Sequence, residues 1–347
     1  LAKAAELLPG TPGMRIARRR DTPTSLTMPR PLCVDLRSGT RRTFSEDIIE
    51  GLTASARLYD EGVMSVVARL RVNATLRELH SVEAMKVSPS IGDIDAFVDE
   101  RYKAVLEMVG PAVSGPRADA ESESYTAYCF ADVGKTPGDF LAENARDLTT
   151  LLTSEPWDYQ VHETQIRKTT SNHFSYSDGD LALFDMDRCI IIDENRDYED
   201  LLLICELANY QYLELRTLDR LLDRWLDEAE DDVNTMMRKR MVRGLGSGAL
   251  KRKFGTIQKL RLDALFILEN LENSAKIIGD YFLGGIYDHL CGIFNTSGWT
   301  RSVERRLDAL HNVYEIVKVE RSEQRMLVLE IVFIIVCIIP IIQFAFN

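Results

Sequence analysis

The sequence lacks the short motifs that identify most catalytic and metal-binding sites. Its 347 residues include six cysteines with no Cys-x-x-Cys pair, so neither a disulfide framework nor a zinc site is predicted and a reducing compartment is favoured. The five histidines have no His-x-x-x-His spacing, and no Gly-x-Ser-x-Gly nucleophile motif is present. We therefore predict no catalytic residue, no metal ligand and no cofactor, and expect a protein that is not an enzyme.

Two glycine-containing segments resemble phosphate-binding loops but are incomplete. Gly134-Lys135-Thr136 matches the end of a nucleotide-binding loop, but position 129, where that motif requires glycine, is a cysteine. The small residues between 244 and 249 imitate a dinucleotide fingerprint, but they follow a predicted helix rather than a strand. Neither segment therefore predicts a nucleotide site.

The sequence also lacks an overall positive charge. Its net charge is −12 and its pI is about 5.1, which argues against a general nucleic-acid-binding protein. One segment, residues 238–253, is nevertheless strongly basic and contains no acid. Helix C-termini attract cations, but seven basic residues exceed what capping needs. The segment is either a solvated helix tip or a contact for phosphates of anionic lipid or RNA, formed by Arg238, Lys239, Arg240, Arg243, Lys251, Arg252 and Lys253.

Long apolar runs are absent except at the C-terminus. Residues 326–346 carry a single charge, Glu330, and residues 331–342 are uninterruptedly apolar. About 20 helical residues cross a bilayer core of roughly 30 Å, so we predict one transmembrane helix, with a buried core helix as the alternative. Arg321 and Arg325 precede the predicted span and no basic residue follows it, so the positive-inside tendency predicts that the folded body lies on the side where the protein was made or from which it inserted. Glu330 lies near the start of the span, where it can reach the headgroups or a partner.

The N-terminal 45 residues differ from the rest in composition. They hold nine basic residues, three acidic residues, five prolines and many serines and threonines. This composition is typical of mitochondrial presequences, and a basic arm that packs on an acidic neighbour is the alternative. Both interpretations allow a mitochondrial protein.

Hydrophobic periodicity divides the remaining chain and predicts an α+β protein. Residues 46–110 are predicted to be a helical extension, because apolar residues recur at helical spacing, and residues 111–124 form a linker. Residues 125–197 are predicted to be an α+β head, a small sandwich with one helical layer. Its predicted elements are strands at 125–131 and 157–164, a helix at 137–152, and a hairpin formed by 180–185 and 189–193.

Residues 198–325 are predicted to form a long antiparallel helical hairpin or coiled coil. Apolar residues repeat near heptad spacing in three stretches, and a shorter helix is predicted at 281–294. The apolar residues of these repeats could pack against each other within one chain or between copies in a homo-oligomer. The repeating residues include Leu218, Leu222, Ala229, Ala264, Leu268, Val303, Leu307 and Leu310.

The C-terminal half resembles the domain of unknown function 155 family, which has mitochondrial, fungal and bacterial members. The resemblance lies in residues 267–283, 299–308 and 329–330, with supporting matches in the head at 128–132, 179–184 and 189–192. Its most specific segment contains Lys276, Gly279 and Asp280, for which we expect a structural role: the glycine ends a helix and the aspartate caps the next. Residues 46–110 fall outside the resemblance and are interpreted as a lineage-specific addition.

The resemblance implies a protein of the mitochondrial inner membrane that faces the matrix and supports mitochondrial translation. Such a protein would tether or assemble the mitochondrial ribosome at the membrane, with the membrane, anionic lipid and the ribosome as its partners. The alternative is a structural accessory subunit of a large inner-membrane respiratory complex, which would use the predicted helices of residues 46–110 and the acidic surface for docking.

The basic segment gives a direct test. Replacing Arg238, Lys239, Arg240, Lys251, Arg252 and Lys253 by Gln should weaken binding to anionic vesicles or to structured RNA, because each cation near a charged lipid surface contributes about 1 kcal/mol. Binding is measured by co-sedimentation at low salt. Unchanged binding would mean that the segment is only solvated.

Overall fold

The computed structural model describes an α+β protein with small sheets and a helical region. The described residues are 32–36, 49–59, 62–85, 87–88, 92–112, 121–239 and 281–313, with single helical positions between 255 and 269 and at 315, 326, 333 and 334.

The first sheet is an antiparallel meander in which strands β1, β2 and β3 are neighbours in that order. The strands are Leu32–Asp35, Ile49–Leu58 and Met64–Val72. A turn joins β2 to β3, where Gly62 has a φ of +97° and the Tyr59 amide donates to the Val63 carbonyl at 2.9 Å. The prediction of a continuous helical extension over residues 46–110 is therefore wrong for its first half.

The helical prediction failed here because the apolar pattern fits both a helix and a strand. Apolar residues such as Val66, Val67 and Leu70 fit helical spacing, but Arg69 and Arg71 alternate with apolar neighbours as in a strand whose faces differ. The β-branched valines also favour extended backbone. Helix is confirmed only farther on, in α1 and α2, which are Leu76–Met85 and Ile94–Val109 and are separated by the short paired strands β4 (Val87–Ser88) and β5 (Gly92–Asp93).

The second sheet confirms most of the predicted head. Strand β6 pairs in parallel with the central strand β8, and β7 pairs with β8 as the predicted antiparallel hairpin. The predicted helix at 137–152 is present as two consecutive helices, α3 and α4. The bounds are Thr126–Phe130 (β6), Pro137–Glu143 (α3), Ala145–Thr153 (α4), Asp180–Phe184 (β7) and Arg188–Asp193 (β8).

Helices cover both faces of this sheet, so the prediction of a single helical layer is wrong. On one face, Ile190 and Ile192 pack with leucines of α3 and α4. On the other, Cys189 and Ile191 pack with α6 and α7, which are Glu199–Lys239 and Tyr281–Ile293. Every residue of β8 is buried, as expected for an apolar strand that is enclosed on both sides.

The strand predicted at 157–164 is also wrong. Its place is taken by irregular chain and then by helix α5, Glu163–Ser171. The His162 Nδ1 accepts a hydrogen bond from the Thr164 amide at 3.2 Å and caps this helix. Of the apolar residues in the predicted strand, Val161 is buried while Tyr159 is 55% exposed.

The chain folds as two compact units, and their boundary differs from the predicted one at 197/198. The first unit comprises residues 1–214 and 270–296, and the second comprises 215–269 and 297–347. The first unit therefore includes the beginning of α6 and all of α7, which the sequence analysis assigned to the helical domain.

The second unit contains the rest of α6, the helical positions between 255 and 269, and helix α8 (296–313) from residue 297 onward. The predicted heptad residues are buried within one chain: Leu218, Leu222, Ala229, Ala264, Leu268, Val303, Leu307 and Leu310. Polar contacts link the same helices. Arg306 pairs with Asp219 at 3.0 Å and with Asp223, and the Ser302 hydroxyl donates to Asp219 at 2.9 Å.

The predicted transmembrane helix falls mostly outside the described residues. Within the part of the chain that the structure describes, no helix combines the length and the apolar character needed to cross a membrane.

The packing of α2 on the first sheet can be tested within one helix. Val105 is fully buried against Val34, Ala56 and Leu58, whereas Met108 of the same helix is 43% exposed. Val105→Ala should lower the free energy of unfolding by about 2 kcal/mol, because it leaves a cavity. Met108→Ala, the control, should change it by less than about 0.5 kcal/mol. Urea unfolding measures both, and equal effects would contradict this packing.

Candidate functional site

One side of helix α6 carries the polar contacts that join it to the first sheet. Glu199, Glu206 and Tyr210 are spaced by seven and four residues, which places them on the same side of the helix. Their partners, Arg57, Tyr59 and Arg69, come from β2, β3 and the turn between these strands.

The central contact is a buried ion pair. Arg57 donates to Glu206, and the side chains are only 6% and 12% exposed. The Tyr59 hydroxyl donates to the other carboxylate oxygen at 2.8 Å, and its ring stacks on Tyr210 with centroids 4.6 Å apart. Charges removed from water are costly unless they are paired and hydrogen-bonded, and Glu206 meets both conditions here.

A second ion pair lies nearer the start of α6 and is half exposed. Arg69 makes two parallel hydrogen bonds to the Glu199 carboxylate, at 2.5 and 2.8 Å, with side chains 45% and 43% exposed. The hydrogen bonds between Arg69 and Glu199 lower the pKa of Glu199 and raise the pKa of Arg69. Solvent screens this pair, so it contributes less to stability than the buried one.

Two thiols of this region, Cys129 and Cys189, have raised pKa values. Desolvation raises the pKa of Cys129 to about 12, although the residue is exposed, and the nearby Arg69 only partly offsets this. A hydrogen bond with Cys205, followed by burial, raises the pKa of Cys189. Burial also raises the pKa of Tyr125, whose hydroxyl donates to the Arg188 carbonyl at 2.8 Å.

The raised pKa values of Cys129 and Cys189 disfavour the thiolate, which is the form that attacks substrates or binds metals. Among the residues described, no group of three or more His, Cys, Asp or Glu residues is arranged to hold a metal ion. The chemistry of this region is that of side chains that fasten a sheet to a helix.

An open cleft of about 330 Å³ lies between helices α3, α4 and α5. Small and apolar residues of α3 and α4 form one side, and Arg167, Thr170 and Ser171 form the other. The hydroxyls of Thr170 and Ser171 donate to backbone carbonyls of α5, at 2.8 and 3.1 Å. Arg167 is thus the charged group of the lining, and one cation does not make a catalytic constellation.

The segment that imitates a nucleotide-binding loop has a structural role. Lys135 pairs with Glu143, and the Thr136 hydroxyl accepts the Asp139 amide at 3.2 Å as the N-cap of α3. Gly134 has a φ of +71° and its amide donates to Asp132 at 2.8 Å. The lysine that would contact phosphates is thus paired with Glu143, and the hydroxyl caps this helix.

The site residues predicted from the sequence fall almost entirely outside the described residues. Arg238 and Lys239 are the last two residues of α6, and nothing is described of their side chains. The others outside the described residues are Arg240, Arg243, Lys251, Arg252, Lys253, Lys276, Gly279, Asp280, Arg321, Arg325 and Glu330.

The contacts around Glu206 are not among the site residues predicted from the sequence. If residues 46–72 are interpreted as helical, nothing in the sequence predicts that Arg57 and Tyr59 contact a helix about 150 residues farther along the chain. Two signals were available: the polar-apolar alternation around Arg69 and the glycine at 62 between two apolar runs, which is typical of a hairpin.

The fold and these contacts define an α+β domain whose sheets pack against a long helix. Comparison with known families identifies the domain. A family model described as "Uncharacterized protein MJ0711, N-terminal domain" matches residues 1–199, more than half of the chain, and the chain therefore belongs to this family. The match includes residues 46–110, so within this family they are part of the shared domain rather than a lineage-specific addition.

A relative extends the comparison beyond that domain. The protein named "Uncharacterized protein MJ0711" of Methanocaldococcus jannaschii is 30% identical over 213 residues, which cover 61% of this chain and 63% of the relative. The matched region thus spans less than two thirds of the relative's length. No solved structure matches the chain.

The two ion pairs of α6 make a matched comparison. Arg57→Ala should lower the free energy of unfolding by about 3–5 kcal/mol, because it leaves Glu206 buried without its cation. Arg69→Ala should cost at most about 1 kcal/mol, since its partner stays hydrated. Urea unfolding at pH 7 measures both.

A double variant separates charge from packing. Arg57→Met combined with Glu206→Met should recover most of the stability lost in Arg57→Ala, because no uncompensated charge remains. Equal losses for Arg57→Ala and Arg69→Ala would contradict the assignment of Arg57–Glu206 as the buried contact.

Proposed function

We propose that this chain is a non-enzymatic, membrane-anchored protein that holds a ribosome near a membrane and thereby supports translation there. The resemblance of its C-terminal half to the domain of unknown function 155 family, which includes the mitochondrial protein "required for meiotic nuclear division 1 homolog", supports this role. The N-terminal composition is compatible with a mitochondrial protein, and the resemblance implies the inner membrane with the body facing the matrix. The relative of Methanocaldococcus jannaschii comes from an organism without mitochondria. The proposal therefore rests mainly on attachment to a membrane, and the mitochondrial location is its second part.

The observation that carries the proposal is the exposure of apolar side chains in the C-terminal segment. Met326, Phe333 and Ile334 are helical and are 69%, 69% and 48% exposed. A core helix would bury such side chains, each of which gains about 1.5–3 kcal/mol on leaving water. Exposure at all three positions therefore favours an external apolar environment, and the neighbouring run of residues 331–342 has the composition that a bilayer requires.

The basic segment at 238–253 supplies a second attachment. It contains seven cations and no acid, whereas the preceding stretch of α6 is acidic. Cations close to anionic headgroups or to ribosomal RNA would strengthen an attachment that a single anchor provides.

One observation favours the alternative, an accessory subunit of a large respiratory complex. Exposed acidic residues are concentrated on the second half of α6, where they could bind a basic partner protein. These residues are Asp223, Asp227, Glu228, Glu230 and Asp231. Association with such a complex would not depend on RNA.

Membrane attachment is tested by placing charge in the anchor. The double variant Phe333→Asp and Ile334→Asp should move the full chain from the membrane fraction to the soluble fraction after carbonate extraction, because each aspartate in a span centre costs about 2.5–3.5 kcal/mol. Tyr281→Asp is the matched control, since Tyr281 is 99% exposed and lies outside this segment. Retention of the double variant in the membrane fraction would contradict the anchor.

The partner is tested by crosslinking in intact cells or organelles, followed by sedimentation with and without RNase. We expect ribosomal RNA and ribosomal proteins to be recovered with the wild-type chain and to be lost after RNase. Recovery of respiratory subunits instead, insensitive to RNase, would replace the ribosome proposal by the alternative.

A further inference from the structure

The helical positions between 255 and 269, here called the 255–269 segment, have a buried side and an apolar exposed side. Ala264 and Leu268 are buried in the second unit, where they fill the predicted heptad repeat. On the exposed side, Leu262, Leu265 and Phe266 are 67%, 49% and 62% exposed. The contacts within the chain therefore use one side of this helix and leave three large apolar side chains in water.

Charged residues flank this apolar stripe, one of each sign. Lys259 precedes it by three residues and Glu269 follows it by three, and both are exposed. At about 100° per residue, the three apolar residues and the two charged ones lie within roughly 120° of the helix circumference. The stripe thus has a positive end and a negative end on a single face.

The positions are symmetric about residue 264. Lys259 and Glu269 lie five residues on either side of it, and Leu262 and Phe266 lie two residues on either side. Two copies of the helix in antiparallel orientation, centred at this residue, would therefore set Leu262 of each against Phe266 of the other. The same register brings Lys259 of each copy to Glu269 of the other, which gives two identical ion pairs.

We propose that a second copy of this chain covers the exposed face of the 255–269 segment and forms an antiparallel, two-fold symmetric dimer. Charge complementarity identifies the occupant. A parallel pair would place Lys259 against Lys259. An anionic lipid surface would attract Lys259 but repel Glu269 on the same face. A two-fold interface requires a patch that is complementary to itself, and this stripe has that property.

The interface joins six large apolar side chains and four charges, a small set for a permanent dimer. We therefore expect a reversible association with a dissociation constant on the order of micromolar. This interface differs from the heptad repeats, which are filled within the chain, and it does not depend on the function proposed above.

The test uses charge exchange in the full chain, with mass measured by sedimentation between about 1 and 100 μM in a mild detergent. Lys259→Glu and Glu269→Lys, each alone, should weaken dimerisation about tenfold, because each creates two like-charge contacts. The two substitutions together should restore it to within about threefold of wild type, since the pairs re-form with exchanged signs. Leu262→Asp should abolish the dimer over this range.

Matched controls separate this interface from other causes of association. Glu304→Lys changes an exposed charge of α8, and Met108→Asp changes an exposed apolar residue of the first unit, so neither should alter the mass. The anchor variant Phe333→Asp and Ile334→Asp should still dimerise, and its membrane binding is scored separately from its mass. Circular dichroism checks that each variant retains its helices.

A monomer at all concentrations would overturn the proposal. So would a double exchange variant that is no better than the single ones, because that result is expected for a parallel pair or for a different partner. Loss of vesicle binding in Leu262→Asp, with a monomeric wild-type chain, would assign the stripe to lipid instead.

Discussion

Strand β8 has no face in contact with water. All six residues from Arg188 to Asp193 are buried, and the isoleucines at 190–192 alternate between two separate apolar clusters. A strand enclosed in this way needs a helical layer on each side. The chain obtains the first layer locally, from α3 and α4, and the second from α6 and α7, the latter almost 100 residues farther along the sequence. The other compact unit comprises the rest of α6, the chain that follows it up to residue 269, and the chain from residue 297 onward.

The first sheet depends on the same helix in a different way. Its apolar contacts with α2 are supplemented by Arg57 and Tyr59, which reach Glu206 on α6. A buried ion pair adds little net stability compared with apolar packing, but it tolerates few alternative geometries. Its effect is to fix which residues of the sheet meet which turn of the helix. Desolvation raises the pKa of Cys129 and of Tyr125, and a hydrogen bond with Cys205 together with burial raises the pKa of Cys189, which favours the neutral forms of these groups.

Most of the second sheet and its helices follow from the sequence, because each of these elements has one dominant period. The hairpin of β7 and β8, the strand β6, the long helix α6 and the heptad residues such as Leu222 and Leu307 are all where their patterns place them.

The strands β2 and β3 were missed because their apolar spacing fits two periods. The second helical layer was missed because burial on both faces shows only as an unbroken apolar run at 190–192. The ion pair at Glu206 could not be predicted, since a contact between residues 57 and 206 leaves no local signal. The basic segment and the anchor lie mostly outside the described residues and remain predictions.

The boundary of the family domain cuts through the core of the second sheet. The matched domain ends at residue 199, the first residue of α6, whereas one face of β8 is covered by residues beyond that point. A family member that joins this domain to an unrelated C-terminal region must still supply an apolar layer for Cys189 and Ile191. The second half of such proteins is therefore constrained in its first helix even where its remaining sequence is free to diverge.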